Sequence, residues 1–144
     1  MTIAAILKHK GHNVTKVVPT TTVTEVVQEL TGRRIGAVLV IDAADQLLGI
    51  VSERDIVASL ATNGAGTLAM TAGQLMTRTL QTASPSTTVV EAMTMMTEGR
   101  FRHLPVLDHG ELVGIISIGD VVKARIMQQE YEVDTLKAYV AGSA

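Results

Sequence analysis

One short pattern is written twice in this chain, and it limits the fold more tightly than any other feature. Gly49-Ile50-Val51-Ser52-Glu53-Arg54-Asp55 returns as Gly114-Ile115-Ile116-Ser117-Ile118-Gly119-Asp120, with the Gly, the Ser and the Asp each displaced by 65 residues. In both places a strand-like apolar run reaches a Gly, continues for two β-branched residues, and turns at the Ser into a helical pattern. Such an order delivers a hydroxyl and, three residues later, a carboxylate to one edge of a sheet. Ser-x-x-Asp is also a helix-capping pattern, in which the hydroxyl accepts from a first-turn N–H and the acid favours the positive helix end. The two readings are compatible, because a helix start that presents backbone donors is also a ready anion site.

The repetition extends well beyond the motif. Thr22-Val23-Thr24-Glu25 and Thr88-Val89-Val90-Glu91 are both capping boxes, each preceded by a proline, Pro19 or Pro85. The helices they open carry Val23, Val26, Val27 and Leu30 in one copy and Val89, Ala92, Met93 and Met96 in the other, a buried stripe at helical spacing. Basic, Gly-containing turns end them, Thr31-Gly32-Arg33-Arg34 and Glu98-Gly99-Arg100. Short apolar strands follow, Ala37 to Ile41 and Leu104 to Leu107, and then a turn that is one residue shorter in the second copy. An indel confined to a turn is what a structural repeat should show. Each copy therefore reads strand, helix, strand, strand, helix, with second helices built on Ile56, Val57 and Leu60 or on Val121, Val122 and Ile126.

Thr2 and Thr71 are placed to cap short helices ahead of the copies, and Val17-Val18-Pro19 reads as the first strand. His9-Lys10-Gly11-His12 reads as a loop, with no carboxylate or thiol close in sequence to complete a metal site. Residues 62–67 read as a small-residue linker, since glycines are entropically costly inside an element. The division expected is a first repeat with its linker over 1–66, a second repeat over 67–127 and a helical extension over 128–144. That last helix, with Val122, Ile126, Val133, Leu136 and Val140 as its stripe, either packs back on the chain or meets another subunit, and the latter is favoured.

Composition removes several function classes. The 144 residues include no cysteine, which leaves no disulfide framework, thiolate nucleophile or thiolate metal cage. The net charge is −2 and the aromatics are Phe101, Tyr131 and Tyr139, too little for tracking phosphates or stacking bases, so no nucleic-acid partner is expected. The apolar runs fall short of the ~18 residues of a membrane span, and the N-terminus lacks the basic start and apolar centre of a secretory signal. A cytoplasmic protein without a membrane partner is expected.

With these residues in place, the chain resembles a tandem pair of cystathionine β-synthase-type (CBS) domains, a Bateman module. The resemblance rests on the Pro before a Thr-x-x-Glu helix, the strand near Val40 or Val106 that ends in Asp, and Gly-x-x-Ser-x-x-Asp, all present twice. It implies an α/β fold of two β-α-β-β-α repeats packed with pseudo-two-fold symmetry, ligand clefts between them, and commonly a disc-shaped homodimer. It also implies adenosine-containing regulatory ligands, such as AMP, ADP, ATP, NAD or S-adenosylmethionine, and control of another protein, with no catalytic cofactor.

Carried over position by position, the resemblance makes Asp55 and Asp120 the acceptors of ribose hydroxyls, with Ser52 and Ser117 beside them. It makes Arg54, Arg100, Arg102 and His103 phosphate contacts, and Ile35, Ala37, Phe101, Leu104 and Thr79 the lining of the base. For Arg33, Arg34 and Arg100 the alternative is a solvated basic turn at a helix C-terminus, and for His103 a half-buried strand histidine. Gly36-Ala37 stands in the first copy where Arg102-His103 stands in the second, so the two edges need not be equivalent. The function expected is a stand-alone regulatory module and not an enzyme. Its alternatives are a structural dimerisation module with vestigial clefts, or a nucleotide hydrolase using Asp55 or Asp120 with His103.

Overall fold

The computed structural model describes residues 1–78 and 81–143, the last of these by its backbone alone. Its elements run α1 (Ile3–Lys10), β1 (Lys16–Val17), α2 (Val23–Arg33), β2 (Ala37–Ile41), β3 (Leu47–Ser52), α3 (Glu53–Asn63), a 3-10 segment (Gly64–Ala69), α4 (Ala72–Leu75), α5 (Val89–Gly99), β4 (His103–Asp108), β5 (Glu111–Ser117) and α6 (Ile118–Ser143). The packing groups them into two compact units, one formed by Met1–His12 with Gln81–Ala144 and the other by Asn13–Leu80. The units differ from the order in which the repeats are written. The short helix ahead of each repeat completes the other one.

In the unit of the first repeat, β1 lies parallel to β2, and β2 is antiparallel to β3. Thr22 and Glu25 form the expected capping box on α2. The apolar stripe of that helix then meets β2 and β3 in a core of Val17, Val23, Val26, Leu30, Val38, Val40, Val51, Ile56 and Ala72. Ala72 belongs to α4, whose start is pinned by Val23 N–H donating to Met70 O and Ala72 N–H to Thr21 O, at 2.8 and 2.7 Å. Thr71 caps α4 as expected. Residues 62–67 prove structured: α3 runs to Asn63, Gly64 closes it at φ +58, and Thr67 is buried with its hydroxyl 2.8 Å from that of Ser59. Gly64 supplies the positive φ that ends one helix so that the next segment can turn back.

In the other unit α1 contributes Ile3, Ile6 and Leu7 to a core with Ala83, Val89, Ala92, Met96, Leu104, Val106, Ile116, Val121 and Ala124. Thr2 sits at the start of α1 but makes no side-chain cap; a bridge to Thr88 and a bond from Ile3 N–H to Thr87 O, at 2.8 Å, hold that end instead. The first strand of the second repeat is reduced to the single parallel bridge Ala83–Val106. Pro105 explains this. At the equivalent position of the first copy, Leu39 N–H donates to Thr15 O at 3.1 Å, and proline has no N–H to give.

The second helices bury a different face from the one expected. Ile56 and Ser59 are buried on α3, and Val121 and Ala124 on α6, whereas Val57, Leu60, Val122 and Ile126 are exposed. The basic turns differ as well: Gly32 and Gly99 lie inside their helices, and the left-handed closing residues are Arg34 and Arg100, at φ 54 and 55. At Gly99 the reason is contact, since a Cβ there would strike the ring of Phe101.

The repeated Gly of the opening motif has the same kind of origin. A Cβ on Gly49 would come within 2.7 Å of the Thr77 carbonyl oxygen, and one on Gly114 within 2.7 Å of Leu7 Cδ2. In both cases the obstacle is the exchanged short helix or the two residues that follow it. Backbone cannot yield as a leucine tip can. Gly49→Ala is therefore expected to cost about 1–3 kcal/mol, and Gly114→Ala less, in matched denaturant titrations.

Candidate functional site

At the end of β3 the chain turns into α3 through Ser52. The Ser52 N–H and hydroxyl both donate to Asp55 Oδ2, at 2.8 and 2.9 Å, and Asp55 N–H returns a bond to Ser52 Oγ at 3.3 Å. The capping reading of the motif is therefore realised. It also aims the carboxylate: Oδ2 is held by Ser52, while Oδ1 accepts from the Thr77 hydroxyl at 3.2 Å. Thr77 reaches this place because its backbone pairs with Ile50, N–H to O, at 3.1 and 2.9 Å. An ionised carboxylate has about four acceptor sites, and with three in use this one keeps about one for a further hydroxyl donor.

The second copy repeats the geometry at the end of β5. Ser117 N–H donates to Asp120 Oδ2 at 2.8 Å, and Asp120 N–H donates to Ser117 Oγ at 3.2 Å. Here the outer partner is an ammonium. Lys10 Nζ lies 2.6 Å from Asp120 Oδ2 and also donates to Ile115 O at 2.9 Å. Burial pushes the Asp120 carboxyl up, but the hydrogen bond from Lys10, the Ser117 N–H and the Lys10 charge outweigh it, and the net shift is downward.

This shift has a stability consequence of definite sign. Because the folded-state pKa lies below the ordinary 3.8, the contribution of the pair is complete above that value and is lost as pH falls through the lower folded value. Lys10→Met is expected to flatten the acid limb of a stability–pH curve below about pH 4, as followed by denaturant midpoints.

Several of the remaining candidate residues are placed by the strands that end at these two edges. Sheet register sets Ala37 opposite Ser52 and His103 opposite Ser117, and the Ile118 N–H donates to Arg102 O at 2.8 Å, as Glu53 does to Gly36 O at 3.0 Å. Arg102 and His103 thus flank the Ser117–Asp120 edge together with Lys10, and Arg54 sits in the first turn of α3 beside Asp55. Arg100 closes α5 two residues before Arg102. Ile35 and Phe101 are partly buried against their respective cores, while Ala37 and Leu104 are buried outright, Leu104 completely. Thr79 lies outside the described residues.

Lys10 and Thr77 were not singled out as site residues from the sequence. A signal for them existed in retrospect, since each follows or ends the short helix ahead of a repeat, but Lys10 lies 110 residues from its acid. His12, read as part of a loop, places Nδ1 2.8 Å from Val113 O. Among the described residues no cluster of three or more His, Asp or Glu side chains is arranged to hold a metal ion, and no helix is long and apolar enough to cross a membrane.

Comparison with known proteins identifies the architecture. A family model described as CBS domain matches residues 8–62 and 72–126. A mitochondrial CBS domain-containing protein of Arabidopsis thaliana is 36% identical over 125 residues, which make up 84% of this chain and 61% of the relative. The chain spans 22% of the length of two further Arabidopsis relatives. A crystal structure of a CBS-domain containing protein from Agrobacterium tumefaciens superposes with a TM-score of 0.85 at 42% identity, covering 87% of this chain and 99% of that one. A CBS domain protein from Pyrobaculum aerophilum complexed with AMP gives a TM-score of 0.73 at 27% identity, covering 83% and 89%. With both of its Ser-x-x-Asp edges inside matched repeats, the chain belongs to the CBS-domain family as a tandem pair of such domains.

Proposed function

We propose that this protein is a regulatory module that binds an adenosine-containing ligand without chemistry of its own and passes the binding on to another protein. The observation that carries the reading is the Asp55 carboxylate, whose Oδ2 is held at a strand-to-helix junction by the Ser52 N–H and hydroxyl while Oδ1 accepts from a neutral hydroxyl, that of Thr77. A ribose hydroxyl is the kind of donor that such a group suits, a second one taking the place of the Thr77 hydroxyl, and hydrogen bonds to a charged acceptor are the stronger kind. The AMP complex of a family member supports the ligand class. Arg54 beside Asp55, and Arg102 with His103 beside Asp120, supply cations suited to phosphate.

The two edges are proposed to differ in strength. Asp55 is met by hydroxyls and a backbone N–H, while the charge of Asp120 is already compensated by Lys10 on Oδ2, which makes it the weaker acceptor for a ribose. Ligand binding then shifts the module toward whichever arrangement binds better, and a partner protein reads that arrangement. Calorimetry with AMP, ATP and NAD tests this directly. Saturating ligand should raise the unfolding temperature, with about 2.7 kcal/mol of stabilisation at a hundredfold excess over Kd. Absence of both heat and thermal shift at millimolar ligand would end the reading.

A further inference from the structure

Beyond nucleotide binding, and independent of it, we infer that the C-terminal half of α6 is the seam of a parallel, in-register coiled coil between two copies of this chain. The helix runs over Ile118–Ser143, and from Ile126 onward its large apolar side chains are exposed, among them Val133 at 50% and Leu136 at 63%. They do not continue the face that packs on the chain's own core. Val121 and Ala124 mark that face, and at 100° per residue the stripe of Val122, Ile126, Val133, Leu136 and Val140 lies about a third of a turn away from it.

The spacing of the stripe is alternately four and three residues once Gln129 is included, which is a heptad and not a 3.6-residue period. Ile126, Val133 and Val140 fall at a, and Gln129 and Leu136 at d. Within a parallel pair, β-branched residues at a with Leu at d favour two strands, and in register Gln129 meets its own counterpart in the seam. The flanking charges are complementary in the same arrangement. Arg125 and Glu132 occupy g, and Glu130 and Lys137 occupy e. In a parallel pair each g faces the e five residues later on the other helix, so Arg125 meets the partner's Glu130 and Glu132 meets the partner's Lys137. Both pairs are opposite in charge. In an antiparallel pair a faces d, so Gln129 would meet an apolar a residue in place of its own counterpart.

The natural absence of cysteine gives a clean test. Full-length Val133→Cys, at an a position, should form a disulfide-linked dimer under mild oxidant, while Tyr131→Cys at the outward f position should not. Sedimentation of the unaltered chain at about 100 μM should show a dimer, on the scale of a weak to moderate association. Glu132→Lys or Lys137→Glu should weaken it about 3- to 10-fold, and the two changes together should restore it. Circular dichroism confirms that each variant keeps its helix. A chain that stays monomeric at this concentration overturns the inference. So does a dimer that cross-links at Tyr131→Cys and not at Val133→Cys, or one indifferent to both charge reversals.

Discussion

Asp55→Asn should weaken AMP binding by about 10- to 100-fold in calorimetry, the loss expected when a charged hydrogen-bond acceptor becomes a neutral amide. The substitution keeps the shape of the side chain and one acceptor oxygen at the start of α3, so the fold should survive, and circular dichroism checks that it does. Asp120→Asn should change the affinity far less, because the charge of the Asp120 carboxylate is already compensated by Lys10, 2.6 Å from Oδ2. Lys10→Met removes that compensation. It should add a second binding event or tighten a weak one, and should do so without altering the event lost in Asp55→Asn. If Asp120→Asn proves the damaging change and Asp55→Asn the silent one, the assignment of a strong and a weak edge is reversed.

Leu7→Ala should destabilise the protein by about 2–5 kcal/mol, the usual cost of removing a fully buried leucine. Leu7 is 1% exposed, in a helix that precedes the first repeat and packs in the core of the second. The effect should be local to the unit formed by Met1–His12 and Gln81–Ala144. Hydrogen exchange gives the map: amides of β4, β5 and α5 should lose protection, while those of β2 and β3 keep theirs. Equal loss in both units, or loss confined to residues 13–78, would contradict the exchange of short helices.

The particular elements show where sequence reasoning succeeds. Capping boxes at Thr22, Thr71 and Thr88, the strands β2 to β5 and the stripes of α2 and α5 follow from patterns that span a few residues, and the structure contains all of them. The doubling of Ser-x-x-Asp located both edges and, with the repeated Thr-x-x-Glu helices and Asp-ended strands, carried the family resemblance. Reading failed where a local pattern had two faces to offer. On α3 and α6 the valines and leucines adjacent to the buried positions suggested a stripe, yet Ser59 and Ala124 are buried in their place. Small side chains fit where a helix lies close to its neighbour, and hydrophobicity alone does not report that distance.

From the sequence alone came the two repeats, the order of their elements and the hydroxyl–carboxylate pair that starts each second helix, because all of these depend on contacts between near neighbours in the chain. Tertiary structure alone decided which short helix completes which unit, why Gly49 and Gly114 tolerate no Cβ without a shift, and that Thr77 faces one acid while Lys10 faces the other. Those are meetings of distant segments, set by how the cores exclude water and fill space, and no periodicity in the chain encodes them.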